Sequence, residues 1–269
     1  MLRRKTSFPP RNDGGGSVNN VISIKNNEQI KIMREAGRIC ALAHEAIAKV
    51  IEPGICTLEL ANVAEKIINK HGATPTFKGY DGFPGSICIS INDEVIHGIP
   101  GKKRKIADGD VVSVDIGAYF RGFNGDMART NLVGNVDAQA IRLLEVTKSA
   151  FYAGMMAAIE GNRVRDISEA VQKVASQANV GIVRDYVGHG VGEHLHEDPE
   201  IPNFVDKKKG IRLYNGMTLA IEPMLNLGTG RVHTLDNGWT VATDDGKISC
   251  HYENSIAITN NGPIILTEL

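Results

Sequence analysis

The sequence predicts an α+β chain made of two similar halves, in which strands are packed against helices. Three observations predict it. Two stretches within the first seventy-two residues repeat their apolar positions at the helical period, whereas stretches after residue 80 alternate as strands do. Further helical and strand-like runs follow in turn down to residue 259. A single shift of 107 residues superposes a helix start and a strand end that lie far apart in the chain.

The first helix is expected over 26–51, where Ile30, Met33, Ala36, Ile39, Leu42 and Ala43 recur at helical spacing. Asn26 stands at its start and Pro53-Gly54 beyond its end. A second helix is expected over 57–72, capped by Thr57 and closed by Gly72. After residue 80, "SICISIN", "DVVSVDIGAYF" and "ARTNLVG" are β-branched and alternating, with Gly or Asp at their ends. Helices follow near 137–160 and 165–179, and strand-like runs at 182–187, 217–225 and 253–259.

The repeat ties these elements together. "PGICTLELANVAEKI" from Pro53 and "EGNRVRDISEAVQKV" from Glu160 align Gly54 with Gly161 and Leu60 with Ile167. "DGDVVSVDIG" and "YNGMTLAIEP" align Gly109 with Gly216, Val114 with Ile221 and Asp115 with Glu222. Every pair is 107 residues apart, which implies two halves related by a pseudo-twofold axis.

Composition excludes several classes. With 30 basic and 31 acidic residues the net charge is −1, so neither nucleic acid nor an anionic membrane is indicated as main partner. No apolar run approaches the ~18 residues of a membrane span. The four cysteines (Cys40, Cys56, Cys88, Cys250) are far apart and form no CxxC, which fits a reducing compartment, and a cytoplasmic location is expected. Residues 1–20 are basic and rich in Pro, Gly and Asn, without the apolar segment of a secretory signal. They are expected to be a disordered tail ahead of one catalytic domain over 21–269, either plainly solvated or touching RNA or a ribosome.

Asp115 and Glu222 each end an apolar run, where a lone charge is costly and needs a cation, strong hydrogen bonds or a raised pKa. "VSVDIGAYFRGFNGD" adds Asp126, eleven residues on, at a spacing that suits two paired strands turning at Arg121–Gly122. "GHG" adds His189, and "HYENSIAIT" adds Glu253. Four carboxylates and an imidazole suit Mn²⁺, Fe²⁺, Co²⁺ or Zn²⁺. They are too many anions for one ion, and two bridged divalent ions would balance them. Singly, each residue has a plainer reading: Asp126 as a turn residue, Glu222 as a turn cap, His97 as a structural histidine and His194 as a surface one.

Taken together, "VIHGIP", the Asp115 and Asp126 pattern, "GHGVGxxxHExP", "IEPM" and "YENS" resemble the type I methionine aminopeptidases, over residues 21–269. The resemblance implies a pita-bread fold, two pseudo-symmetric halves with a curved antiparallel sheet covered by helices. It implies two divalent metal ions held by Asp115, Asp126, His189, Glu222 and Glu253, with Asp126 and Glu253 bridging. Asp115 would bind one ion, and His189 and Glu222 the other. His97 and His196 would contact the scissile amide, with Glu222 as proton acceptor and His194 as a bystander. Phe77, Tyr80, Phe83, Leu195 and Trp239 would wall a methionine pocket, in which Leu195 and Lys78 depart from the residues expected there.

The implied reaction is removal of Met from nascent polypeptides whose second residue is small. By that rule this chain's own Met1, followed by Leu2, is retained. The implied partners are nascent N-termini and the ribosome surface, for which the basic loops 101–105 and 206–209 are candidates beside the reading of ordinary solvated loops; a monomer is expected. The absence of a long insert between Glu200 and Met217 favours type I over type II. Two alternatives remain at this point. Prolidases and X-Pro aminopeptidases use an almost identical ligand set, usually behind an additional N-terminal domain, where here only some twenty residues precede the catalytic region. A non-enzymatic binding protein of the same fold would typically have lost ligands.

Overall fold

The structure, a computed structural model, describes residues 5–6, 22–207 and 209–269. Helix α1 (Asn27–Ala48) starts where Asn26 predicts. The Asn26 side chain accepts from the N–H of Glu28 and Gln29, and the Gln29 side chain returns to the Asn26 N–H at 2.9 Å. Met33, Ala36, Ile39, Cys40, Ala43 and Ile47 form its buried face.

Helix α2 (Thr57–Lys70) corrects one expectation. Thr57 is its first helical residue rather than its cap, because Glu59 reaches back to the Cys56 N–H at 2.9 Å and places the cap one residue earlier. The Thr57 hydroxyl is used elsewhere: it accepts from the Gly101 N–H at 2.9 Å and donates to the Gly101 carbonyl at 3.2 Å.

Helices α3 (Ala138–Ala157) and α4 (Val164–Ala178) belong to the second half. The repeat is visible in the backbone. Gly54 N–H donates to the Ile106 carbonyl at 2.8 Å, and Gly161 N–H donates to the Leu213 carbonyl at 3.0 Å. The bridges Cys56–Lys105 and Arg163–Arg212 repeat the relation with the same shift. Both glycines have φ above 90°, a region costly for residues with a Cβ.

In the first half the Val111–Phe120 strand lies antiparallel to both Cys88–Ile91 and Phe123–Leu132. Arg121 and Gly122, with φ of 47° and 92°, make the two-residue turn. In the second half the Thr218–Ile221 strand lies between Tyr186–Gly190 and Asn254–Thr259, and Gly262–Ile265 pairs beyond. Helices α1 and α2 bury Ile39, Ile47, Leu60 and Ile68 with Ile89, Val112 and Val114. Helices α3 and α4 bury Leu143, Phe151, Ile167 and Val171 with Leu219, Ile221 and Ile256. This is the pita-bread arrangement, antiparallel sheet inside and helices outside, that the sequence led us to expect.

The halves meet at the start of the Asn254–Thr259 strand. Ser255 Oγ accepts from the Asp126 N–H and donates to the Asp126 carbonyl, both at 3.0 Å. The Glu253 N–H donates to the Ala128 carbonyl at 3.0 Å. Within the expected tail, Lys5–Thr6 runs parallel to Tyr186–Val187; the other tail residues lie outside the described residues. Among the described residues no helix is long and apolar enough to cross a membrane.

Candidate metal centre

The hairpin places Asp115 and Asp126 on one face, since Asp126 pairs with Gly117, two residues along from Asp115. His189 reaches the same place from the Tyr186–Gly190 strand, whose partner strand Thr218–Ile221 delivers Glu222 just past its end. Glu253 enters one residue before the Asn254–Thr259 strand. All five side chains are buried. His189 Nε2 lies 3.5 Å from Glu222 Oε1 and 3.8 Å from Asp126 Oδ2.

Neighbouring groups hold these residues in place. Arg129 donates to the Glu253 carbonyl at 2.6 Å and to Asn254 Oδ1 at 2.6 Å, with its guanidinium 4.1 Å from the Tyr252 ring centroid. Asn203 donates to the Glu222 carbonyl at 3.0 Å. His189 Nδ1 lies 2.9 Å from the Gly190 carbonyl, so it carries the proton and leaves Nε2 as an acceptor.

The electrostatics are those of a site short of positive charge. Burial pushes the Asp115 and Glu253 carboxyls well above their ordinary range, and the neighbouring carboxylates add to it. Burial likewise raises Asp126 to about 7. The imidazoles are held neutral, because burial lowers His189 to about 4. Asp115 Oδ1, Asp126 Oδ1, His189 Nε2 and Glu253 Oε1 are buried with no hydrogen-bond partner among the described residues. Oxygen and imidazole donors in that state fit hard-to-borderline divalent cations. Donor atoms of Asp126, His189 and Glu253 all lie within 4.8 Å of one another, as do those of Asp115, His251 and Glu253.

Beside the carboxylates lies an apolar cluster. Phe77, Phe83, Cys88 and Leu195 are buried there, with Tyr80, Ile99 and Trp239 against them. Phe83 and Trp239 meet edge to face at 5.2 Å. The four aromatics Phe77, Tyr80, Phe83 and Trp239 lie together in this cluster. Leu195 is one of its buried members, whereas Lys78 points away and pairs with Glu65 at 2.6 Å. Cys88 and Ile99 escaped sequence reasoning; the signal was the register, since Cys88 pairs directly with Asp115.

His196 stacks edge-on against His189 at 4.4 Å, and its Nδ1 lies 2.9 Å from the Tyr80 hydroxyl. Burial, then the neighbouring His189 and His97, hold its pKa well below the ordinary value. His97 adopts φ 59°, a left-handed conformation rare for a residue with a Cβ, directly after the Glu94–Ile96 strand. Its ring packs edge-on against Tyr186 at 5.8 Å. His194 is exposed. The loop at 101–105 is not a uniform basic patch: Arg104 turns inward, pairs with Glu94 and donates to the Ile99 carbonyl at 2.6 Å. His251, buried beside Glu222 and Glu253, was not singled out in the sequence at all.

Residues 31–260 match metallopeptidase family M24. The chain is 51% identical over 249 residues to methionine aminopeptidase 1 of Bacillus subtilis, covering 93% of this chain and 100% of that one. It is 49% identical over 247 residues to a methionine aminopeptidase of Clostridium acetobutylicum, covering 92% and 99%. The solved structure of methionine aminopeptidase from Thermotoga maritima superposes with a TM-score of 0.91 at 41% identity, covering 93% of this chain and 100% of that one. Prolidase from Pyrococcus furiosus superposes less well, with a TM-score of 0.74 at 25% identity, covering 91% of this chain and 65% of that one. The chain therefore belongs to metallopeptidase family M24, on the branch formed by the methionine aminopeptidases.

Proposed function

We infer that the chain removes N-terminal methionine from polypeptides, with Asp115, Asp126, His189, Glu222 and Glu253 holding two divalent ions. The observation that carries this reading is one buried cluster of four carboxylates and His189, set against an apolar pocket, in a chain half identical to methionine aminopeptidases. Two divalent cations balance four carboxylates in charge. When bound, such ions bring the pKa of a water to near neutral and polarise the scissile carbonyl.

The protein's own groups do the rest. Glu222 accepts the proton of the attacking water and passes it to the leaving amine. The Tyr80 hydroxyl lies 2.9 Å from His196 Nδ1, and in the reaction we assign it the donor role, which puts the ring proton on Nε2. His196 then donates to the carbonyl oxygen as it becomes an anion. His97 accepts the hydrogen bond of the scissile amide N–H. Phe77, Phe83, Leu195 and Trp239 hold the methionine side chain, for which aromatic walls suit the polarisable sulfur. A small second residue, nascent chains as substrates, contact with the ribosome and a monomeric state complete the proposal. A cytoplasmic location accords with four buried, free cysteines.

The test is methionine release by metal-free protein reloaded with Mn²⁺, Fe²⁺, Co²⁺ or Zn²⁺. Met-Ala-Ser, Met-Leu-Ser and Ala-Pro-Ala serve as substrates and Glu222→Ala as control. Release from Met-Ala-Ser alone, lost in the variant, is expected. Cleavage of Ala-Pro-Ala instead would assign the chain to the prolidase chemistry, and inactivity despite bound ions would leave a binding protein.

A further inference from the structure

The ligand set above leaves one imidazole of the centre unused. His251 ends the Ser249–His251 strand, two residues before Glu253, and is 1% exposed. Its Nε2 has no hydrogen-bond partner among the described residues. Two carboxylate oxygens lie close to it, Glu253 Oε2 at 3.6 Å and Glu222 Oε2 at 3.7 Å.

Those separations discriminate between two roles. A direct N–H···O bond spans about 2.7–3.2 Å, so neither contact is one. Two donors on a shared ion, each about 2.1 Å from it, are about 3.4 Å apart at the tetrahedral angle and about 4.2 Å apart when opposite. The 3.6 Å between His251 Nε2 and Glu253 Oε2, the carboxylate common to both ions, falls inside that window, whereas Glu222 faces His251 from the neighbouring ion. The distances from His189, 3.5 Å to Glu222 and 3.8 Å to Asp126, also fall inside it, and His189 already belongs to the proposed ligand set.

The composition of the two donor groups points the same way. One consists of Asp126, His189 and Glu253, the other of Asp115, His251 and Glu253, each within 4.8 Å. Each holds one aspartate and one imidazole, and they share Glu253. Glu222 lies between the imidazoles, with Oε1 nearer His189 and Oε2 nearer His251. An imidazole adds a donor without adding charge, so a sixth ligand leaves the balance of four carboxylates against two divalent ions intact.

We propose that His251 Nε2 is a sixth protein ligand, bound to the ion that Asp115 holds, so that each ion of the pair carries one imidazole. This rests on the dinuclear reading above. It also gives the Asp115 position a preference: a nitrogen donor favours Zn²⁺ and Co²⁺ over Mn²⁺ there.

The test uses the full chain loaded with two equivalents of Zn²⁺, with X-ray absorption counting imidazoles per zinc and calorimetry counting ions. Two zinc ions with one imidazole each are expected. In His251→Gln, which keeps a hydrogen-bond donor but removes the ligand, the average falls to half an imidazole per zinc. One of the two ions then binds at least tenfold more weakly, and the loss is larger for Zn²⁺ than for Mn²⁺. Two ions with half an imidazole per zinc in the unmodified chain would overturn the proposal and make His251 a residue that only positions Glu222 and Glu253. A single bound ion at saturation would overturn the dinuclear reading itself. The count on the unmodified chain decides the matter even if the variant fails to fold.

Discussion

Asp115 and Asp126 are diagonal neighbours on one face of a two-stranded ribbon, because Asp126 pairs with Gly117 and Asp115 pairs with Ala128. The two-residue turn at Arg121–Gly122 fixes this register, and a slip of one residue would send one strand's carboxylate to the opposite face. Gly117, on the same face, leaves the space that Phe77 and Thr76 fill. A Cβ there would stand 2.7 Å from the Phe77 ring and 2.8 Å from Thr76 Cβ.

Gly117→Ala is therefore expected to displace Phe77 and damage the methionine pocket, while the carboxylates of the hairpin keep their register. KM for Met-Ala-Ser should rise roughly tenfold, the scale of a methylene misfit in an apolar pocket. Calorimetry should show the same number of bound ions. An unchanged KM would remove Phe77 from the pocket wall.

Tyr80 was expected only as a pocket wall, but its hydroxyl also faces His196 Nδ1 at 2.9 Å. Tyr80→Phe keeps the ring and deletes that hydrogen bond, so the proton on His196 is no longer directed to Nε2. A loss of about 1–1.5 kcal/mol of transition-state stabilisation corresponds to roughly a tenfold fall in kcat, with little change in KM. Steady-state kinetics at pH 7.5 separate the two. A fall confined to KM would return Tyr80 to a purely apolar role.

How much of this was legible beforehand follows from distance along the chain. The Asn26 cap, the repeat and the 111–132 hairpin are set by local pattern, and Asp115 and Glu222 are conspicuous because each follows an apolar run, although Asp115 lies inside the Val111–Phe120 strand and only Glu222 stands past a strand end. Lys78 was read as a threat to the pocket because sequence order does not say which way a side chain leaves a turn; it leaves toward Glu65 on α2. Arg104 looked like part of a basic surface loop, yet it is anchored to Glu94 and the carbonyls of Ile89 and Ile99. His251 gave no local signal, since only the register of its strand against Met224–Asn226 carries it to Glu222.

Lys25 and Glu197 form a buried ion pair, with side chains 2% and 9% exposed, that closes the loop bearing His196. Glu197 Oε1 also accepts from the His194 N–H at 3.2 Å. Lys25→Met leaves that carboxylate buried without its cation, at a cost of about 3–5 kcal/mol. Urea unfolding should show the loss, and adding Glu197→Leu to it should restore most of the stability. If Lys25→Met costs under about 1 kcal/mol, the pair is no more than a surface contact in energetic terms.

His44 supplies a pH dependence from outside the ligand set. It is buried on α1 with Nε2 2.9 Å from the Met127 carbonyl. Burial, reinforced by Arg129 and opposed by that hydrogen bond, lowers its pKa from 6.5 to about 3. The folded state thus keeps the ring neutral where the unfolded chain protonates it. The unfolded state binds more protons between those two values, so stability falls as pH drops through that window and is insensitive to this group above pH 6.5. One such group contributes about 1.4 kcal/mol per pH unit at most. His44→Gln replaces the ring with an amide that does not titrate and can still donate to Met127. Urea unfolding at pH 6.5, 5.5 and 4.5 should therefore show a slope against pH shallower by about 1.4 kcal/mol per unit in the variant. Parallel slopes would mean that His44 charges in the folded protein as readily as in the unfolded chain.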